Sequence, residues 1–183
     1  MKKVIVIAAL AIMGYSADAQ TVSSTAQQTV NLALSNAIEL TFTGSGTATG
    51  TAVTIPFTSV NDYANGVQSA AQQLKVRSNK NYAVSVKANS TNFTYTGTTS
   101  PAPTMPVATV LDLKVATNAT SGTVSAPFST SAFADITTTA QTVLTNCIYG
   151  GNQLFSVIYQ ATPGFAYPAG TYAVDVVYTA TQL

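Results

Sequence analysis

The side chains that most often carry catalysis or hold metals are scarce and scattered in this chain. The sequence contains no histidine, one glutamate (Glu39) and one cysteine (Cys147). Without histidine, Ser-His-Asp and Cys-His arrangements cannot form, and the commonest metal ligand is missing. The aspartates do not fall into the spacing of a calcium loop. We therefore predict no catalytic residue, no metal, no cofactor and no enzymatic activity, unless two aspartates meet in a cleft.

Tyrosine is the side chain that the sequence places repeatedly near turns, where it would be accessible to a ligand. Exposed tyrosine rings can stack on sugar rings, so carbohydrate binding is one function open to the chain. Packing within the core or at its rim is the alternative interpretation for each of these residues. The candidate ligand-binding aromatics are Tyr63, Tyr95, Tyr149 and Tyr167.

Charge is sparse in this chain, and it is balanced in sign. Only 7% of the residues are charged, far below the roughly 25% typical of globular domains. From residue 20 onward the chain has five lysine or arginine residues and five carboxylates, and four of the cations lie from Lys75 to Lys87. Nucleic-acid binding needs a strongly basic surface, so we expect no nucleic-acid partner. Near-zero net charge favours self-association, although an ordinary secreted β-protein with a threonine-rich surface would share this composition.

The N-terminus has the pattern of a cleaved export signal. Lys2 and Lys3 precede an apolar run at residues 4–13, and Ala17-Asp18-Ala19 supplies a small-x-small cleavage site. The run of about ten residues is too short to span a bilayer. We predict a helical signal peptide at 1–19, secretion through the periplasm to the medium or the cell surface, and no transmembrane anchor after cleavage.

Short runs of alternating β-branched and aromatic residues, separated by Gly, Pro, Asn and Ser, dominate the rest of the chain. This pattern predicts strands, and the lack of long helical periodicity excludes a parallel α/β fold. We predict one all-β domain over 20–183, a single antiparallel β-sandwich of Ig-like or pilin-like type with roughly nine to eleven short strands. Predicted strands lie at 29–34, 38–42, 53–57, 72–77, 81–88, 92–95, 110–115, 141–148, 153–160 and 172–178.

Two turns and one cysteine complete the local predictions. Ser78-Asn79-Lys80-Asn81 has turn composition and is flanked by strand patterns, so we predict a hairpin there. Gly150-Gly151-Asn152 predicts a tight turn between the next-to-last pair of strands. Cys147 falls in a strand-like segment and is expected to be a buried thiol.

Three segments share a pattern with known secreted proteins. They are LKVRSNKNYAVSVKA at 74–88, PGFAYPAGTY at 163–172 and VDVVYTAT at 174–181. Together they resemble secreted bacterial β-sandwich subunits of the spore-coat-U-like and fimbrial type, although the paired cysteines of classical fimbrial subunits are absent. In those families the last strand follows an Ala-Gly-Thr-Tyr turn and closes the sandwich. The resemblance implies that the closing strand here carries Tyr172, Val174, Val176 and Tyr178 on one face.

Fimbrial subunits of this kind assemble when one subunit donates a strand to an open groove of its neighbour. The resemblance makes residues 20–34 a possible donor strand, because they are uncharged and end in alternating apolar residues. The alternative is that this segment is the first strand of its own sandwich. The donor positions would be Val22, Val30, Leu32 and Leu34.

These observations lead to one main expectation and one alternative. We expect a secreted structural or adhesive cell-surface protein, a filament, pilus-like or matrix subunit assembled by β-strand complementation. Its partners would be copies of itself, with a periplasmic chaperone or outer-membrane assembly machinery as further candidates. The alternative is a monomeric secreted carbohydrate-binding module that uses exposed tyrosines.

Overall fold

The computed structural model describes residues 23–183, so the predicted signal peptide and the donor position Val22 lie outside the described residues. The chain divides into two units, with a boundary between Leu34 and Ser35. Residues 23–34 carry no regular secondary structure, and the strand predicted at 29–34 is not formed. The first strand begins at Ile38, where the second of the two predicted alternating patterns starts.

The second unit, residues 35–183, contains one short helix and twelve strands. The helix α1 covers Val60–Asn65. The strands are β1 (Ile38–Phe42), β2 (Val67–Gln68), β3 (Gln72–Ser78), β4 (Tyr82–Ala88), β5 (Thr94–Thr96), β6 (Leu111–Asn118), β7 (Thr123–Val124), β8 (Ala134–Asp135), β9 (Gln141–Cys147), β10 (Gly150–Ala161), β11 (Thr171–Ala173) and β12 (Val176–Gln182).

All strand pairs are antiparallel, and most strands belong to one of two sheets. The first sheet has the order β1-β3-β10-β6-β8, and β2 pairs with the C-terminal end of β10. The second sheet has the order β12-β4-β9-β7. Strands β5 and β11 form a separate two-stranded ribbon. In both sheets the neighbours are mostly distant in sequence, so the fold depends on long-range pairing.

Alternating side chains of the two sheets meet in one apolar core. Leu74 and Val76 of β3 and Val84 and Val86 of β4 are fully buried, and they belong to the same cluster although their strands lie in different sheets. Burying each such side chain contributes roughly 1.5–3 kcal/mol. The predicted all-β antiparallel sandwich is confirmed, because period-two patterning gives each central strand one apolar face.

The predicted hairpin at 78–81 is wrong, because the two strands that flank it lie in opposite sheets. The connection is a corner that is fixed by distant partners. The side chain of Asn79 accepts from the backbone N–H of Ala37 and donates to the carbonyl of Ser35. The carbonyl of Asn81 accepts from the backbone N–H of Leu183. These bonds direct the chain across the sandwich, not back along the same sheet.

The predicted tight turn at Gly150-Gly151-Asn152 is also displaced. Both glycines lie inside β10, and Gly150 pairs with Ser78 before a register shift that ends at Gln153. The reversal occurs at Ile148 and Tyr149, after Asn146 adopts a left-handed φ of 53°, which asparagine tolerates better than most residues. This connection also passes from one sheet to the other.

The predicted closing strand at 172–178 is split into two. Tyr172 pairs with Tyr95 in the ribbon, whereas Val176 and Tyr178 pair with β4 in the second sheet. The break falls at Asp175, whose backbone N–H donates to the side chain of Asn89 and not to a strand neighbour. Side-chain alternation continues across the break, since Val174, Val176 and Tyr178 all pack against the core.

Two other predictions have clear outcomes. The strand predicted at 53–57 is not formed, although Ile55 packs against the core and Phe57 is half-buried. Cys147 is fully buried, as expected, and its thiol accepts a hydrogen bond from the Thr120 hydroxyl at 3.2 Å. Burial raises the pKa of the Cys147 thiol. The hydroxyl of its strand neighbour Tyr82 is buried and makes no hydrogen bond with the described residues.

Candidate functional site

Six aromatic side chains gather at one surface of the second unit, and we call this group the aromatic platform. Tyr63 stacks on Phe165 with ring centroids 5.5 Å apart and an interplanar angle of 24°. The Phe57 ring lies 5.2 Å from Tyr63. Tyr95 and Tyr172, paired across the ribbon, have centroids 5.0 Å apart. The full set is Phe57, Tyr63, Tyr95, Phe165, Tyr167 and Tyr172.

The loop before β11 holds the rings of the ribbon in place. The Tyr95 hydroxyl donates to the carbonyl of Ala169 at 3.0 Å, and the Tyr172 hydroxyl donates to the carbonyl of Pro168 at 2.8 Å. These two carbonyls belong to the Pro-Ala-Gly-Thr-Tyr segment. That segment is therefore a polar anchor for two aromatic rings as well as the start of a strand.

A capped helix positions the other half of the platform. Ser59 caps α1 by accepting from the backbone N–H of Asp62, while the Asp62 carboxylate accepts from the backbone N–H groups of Ser59 and Thr58. This reciprocal arrangement is a capping box, which satisfies N–H groups that a helix start leaves unpaired. The hydrogen bonds to Thr58 and Ser59 lower the pKa of Asp62. Tyr63 follows directly and projects its ring between Phe57 and Phe165.

Neighbouring phenols of the platform influence the pKa of Tyr172. The pKa of Tyr172 is raised, first by burial and then by repulsion from the phenolates that Tyr95, Tyr167 and Tyr63 would form. Tyrosines from α1, the ribbon and the loop before β11 therefore all act on Tyr172. The raised pKa of Tyr172 keeps the proton on its phenol oxygen at ordinary pH.

The structure brings together three of the four predicted ligand aromatics. Tyr63, Tyr95 and Tyr167 belong to the platform, whereas Tyr149 lies apart in the β9–β10 connection and is 61% exposed. Sequence reasoning missed Phe165, which is 68% exposed. Its spacing of two residues from Tyr167, in a loop rich in proline and glycine, was an available signal.

A second feature lies where the outer strands of the two sheets meet, and we call it the β1–β12 seam. Each of these strands pairs on one side only, β1 with β3 and β12 with β4. The Phe42 ring packs edge-on against the Tyr178 ring, with ring centroids 6.1 Å apart. Inward side chains along the seam are half-buried, in contrast to the fully buried residues of β3 and β4. They are Leu40, Phe42, Val176, Tyr178 and Ala180.

Hydrogen bonds connect the two sheets at positions along the seam. The Gln182 amide donates to the carbonyl of Ala37 at 2.8 Å and to the Ser78 hydroxyl at 3.0 Å. Farther along, the hydroxyls of Tyr159 and Tyr178 are 2.8 Å apart and join β10 to β12. Burial raises the pKa of Tyr159 to about 12, and it also raises that of Tyr178. The seam therefore runs antiparallel from Ala37 beside Gln182 to Phe42 beside Tyr178.

The predicted donor residues that the structure describes are solvent-exposed. Val30 is 76% exposed, Leu32 is 85% exposed and Leu34 is 88% exposed. Removing large apolar side chains from water is favourable by roughly 25 cal/mol for each Å² buried. This segment therefore exposes alternating apolar side chains, which pairing with another strand can bury.

Two carboxylates that looked scattered in the sequence are opposite each other at the edge of the first sheet. Asp112 of β6 is in register with Asp135 of β8. Burial, a hydrogen bond from one carboxyl to the other, and repulsion between them raise the pKa of Asp112 to about 6. Only long-range strand register brings these two residues together, so their proximity could not be predicted from the local sequence. Among residues 23–183, no group of three or more His, Cys, Asp or Glu residues is placed to hold a metal.

No protein-family model matches the chain, and no curated protein matches it. In the described part of the chain, no helix has both the length and the apolar character needed to cross a membrane.

Proposed function

We propose that this chain is a secreted structural subunit that assembles with copies of itself by β-strand addition at the cell surface. The observation that carries the proposal is the half-buried β1–β12 seam, flanked by two strands that each lack a partner on one side among the described residues. Unpaired edge strands are templates for pairing with another chain. A protein that uses such an edge needs a strand to occupy it.

The proposed occupant is the segment 23–34 of a second copy. Val30, Leu32 and Leu34 span five residues, the same number as β1. At about 3.4 Å for each residue, a strand of this length matches the edge it would pair with. In β-addition the main chain supplies the hydrogen bonds and alternate side chains supply the fit. The three apolar side chains would cover Leu40 and Ala180, which the subunit leaves half-buried.

Charge supports the same proposal. Only one ion pair, Glu39 with Arg77 at 3.5 Å, is formed in residues 23–183, and both of its side chains are more than half exposed. The donor segment itself is uncharged. Copies therefore approach one another with little repulsion.

The test compares two aspartate substitutions on opposite faces of the donor segment. Leu32→Asp puts a charge on the proposed buried face, and Ala33→Asp puts the same charge on the other face, one residue away. We expect purified protein to form ladders or filaments by electron microscopy and sizing, Leu32→Asp to abolish them, and Ala33→Asp to keep them. Monomer at every concentration, or equal loss in both variants, would overturn the proposal.

A further inference from the structure

The aromatic platform is built from elements other than the two strands of the β1–β12 seam. It is built from the segment 57–63, the ribbon and the loop before β11. Phe165 is two-thirds exposed although it stacks on Tyr63. The hydroxyls of Tyr63 and Tyr167 make no hydrogen bond with the described residues, whereas those of Tyr95 and Tyr172 are bound to the backbone. Apolar ring surface and free phenol hydroxyls are therefore presented side by side.

The platform is fixed before any ligand arrives. Hydrogen bonds to Pro168 and Ala169 hold Tyr172 and Tyr95, and the capped start of α1 holds Tyr63. Stacked rings have already lost most of their rotational freedom, so binding on them has a lower entropic cost. A rigid aromatic face of this kind is suited to a flat, rigid ligand.

The charge pattern narrows the chemical class of that ligand. The segments 57–65, 94–97 and 163–173 contain no lysine or arginine, so phosphate groups and nucleic acids would lack the cations they need. Their one carboxylate, Asp62, is already engaged by backbone N–H groups of Thr58 and Ser59. A single carboxylate whose Oδ2 already accepts these hydrogen bonds is a weak site for a cationic ligand. A neutral ligand with an apolar face and many hydroxyls fits this surface.

We propose that the aromatic platform is a binding site for neutral polysaccharide, in which a pyranose ring stacks on Phe165 and its hydroxyls bond to the nearby tyrosines. Exposed hydroxyl and amide side chains on the same elements would bind further sugar hydroxyls: Thr94, Thr96 and Thr171 on the ribbon and Asn61 on α1. This site shares no residue with the β1–β12 seam, so a subunit could assemble through one and attach to a glycan surface through the other.

Depletion from solution by insoluble polysaccharides tests the proposal. The purified protein is mixed with cellulose, chitin or starch granules, with heparin beads as a charged comparison. We expect retention on at least one neutral polysaccharide and none on heparin. Phe165→Ala should weaken that retention by about tenfold or more, the range expected when a stacked aromatic contact is lost. Phe165→Leu should weaken it as well, because it keeps an apolar side chain but removes the ring.

Tyr149→Ala is the matched control, since Tyr149 is similarly exposed but lies outside the platform. Its retention should equal that of the unmodified chain. Failure to bind all three neutral polysaccharides would overturn the proposal. So would equal losses in the Phe165 and Tyr149 variants, or a Phe165→Ala variant that changes self-association but not retention. Near-ultraviolet circular dichroism verifies that each variant keeps its fold.

Discussion

Gly170 shows at the scale of one residue how the aromatic platform depends on close packing. A Cβ at this position would collide with the Tyr95 ring and approach the carbonyl of Thr96 to 3.1 Å. Gly151 is different, because an added Cβ there would meet nothing within 4 Å. Both are glycines near strand starts, yet only the first is required for contact between a loop and an aromatic ring.

We therefore expect Gly170→Ala to destabilise the protein by about 1–3 kcal/mol, the usual result of forcing a methyl group into a packed site. Gly151→Ala should change the free energy of unfolding by less than about 0.5 kcal/mol. Urea denaturation measures both, and the tyrosine signal in near-ultraviolet circular dichroism reports displacement of Tyr95. Equal stability of the two variants would show that the Tyr95 ring moves aside without cost.

Side-chain chemistry alone predicted part of the platform. Tyr63, Tyr95 and Tyr167 were identifiable because they lie beside turns, and turns are where aromatic residues reach the surface. Their convergence was not predictable, because they come from elements separated by many residues. Tyr172 was assigned to the closing strand, and its ring instead contacts Tyr95 and Tyr167.

At the scale of secondary-structure elements, the edge strand β8 pairs with β6 and places Asp135 opposite Asp112. Like charges directly opposite on neighbouring strands are destabilising. The pKa of Asp112 is raised from its ordinary 3.8 to about 6 by burial and by Asp135. Between these values the folded chain holds a proton that the unfolded chain has released, so stability falls as pH rises through this window. Lys114, two residues along β6 from Asp112, places its ammonium nitrogen 4.6 Å from the centroid of the Phe133 ring. Gln160 of β10 lies opposite Asp112 in the strand register.

We expect the free energy of unfolding to decrease by about 1 kcal/mol between about pH 4 and about pH 7, after allowance for the solvent exposure of this pair. Asp135→Asn removes the opposing charge and keeps hydrogen-bonding capacity, so it should raise stability at neutral pH and lessen this decline, leaving the part that burial of Asp112 causes. Glu39→Gln, which changes an exposed carboxylate in an ion pair, should leave the decline in place. Denaturant midpoints across the pH range decide the matter. A midpoint in the unmodified chain that rises toward neutral pH would contradict this account.

Element connections were harder to predict than the elements themselves. The strand patterns at 72–77 and 81–88 are correct because side-chain alternation is a local property. The sheet to which each strand belongs depends on Asn79 and Asn81, whose partners lie at Ala37, Leu183 and Tyr149. A turn-like composition indicates where the chain bends. It does not indicate whether the bend is a hairpin or a corner between sheets.

The whole molecule combines a well-buried core with an almost uncharged surface. Strands β3, β4 and β10 supply fully buried residues such as Leu74, Tyr82 and Phe155. The apolar side chains at the β1–β12 seam and in 23–34 remain half-buried or exposed. Association that buries these side chains would be driven by removal of apolar surface from water and not by ion pairing.

Salt dependence distinguishes these two driving forces. Between about 0.01 M and about 1 M sodium chloride the screening length falls from about 30 Å to about 3 Å, yet we expect the size distribution of the assembled protein to change little. Ammonium sulfate should strengthen assembly, because sulfate favours apolar burial. Glu39→Lys, which replaces a negative charge with a positive one beside the seam, should weaken assembly at low salt, and assembly should recover at high salt. Light scattering follows all three. Assembly of the unmodified chain that dissolves as sodium chloride is raised would show that charge, not apolar burial, holds the copies together.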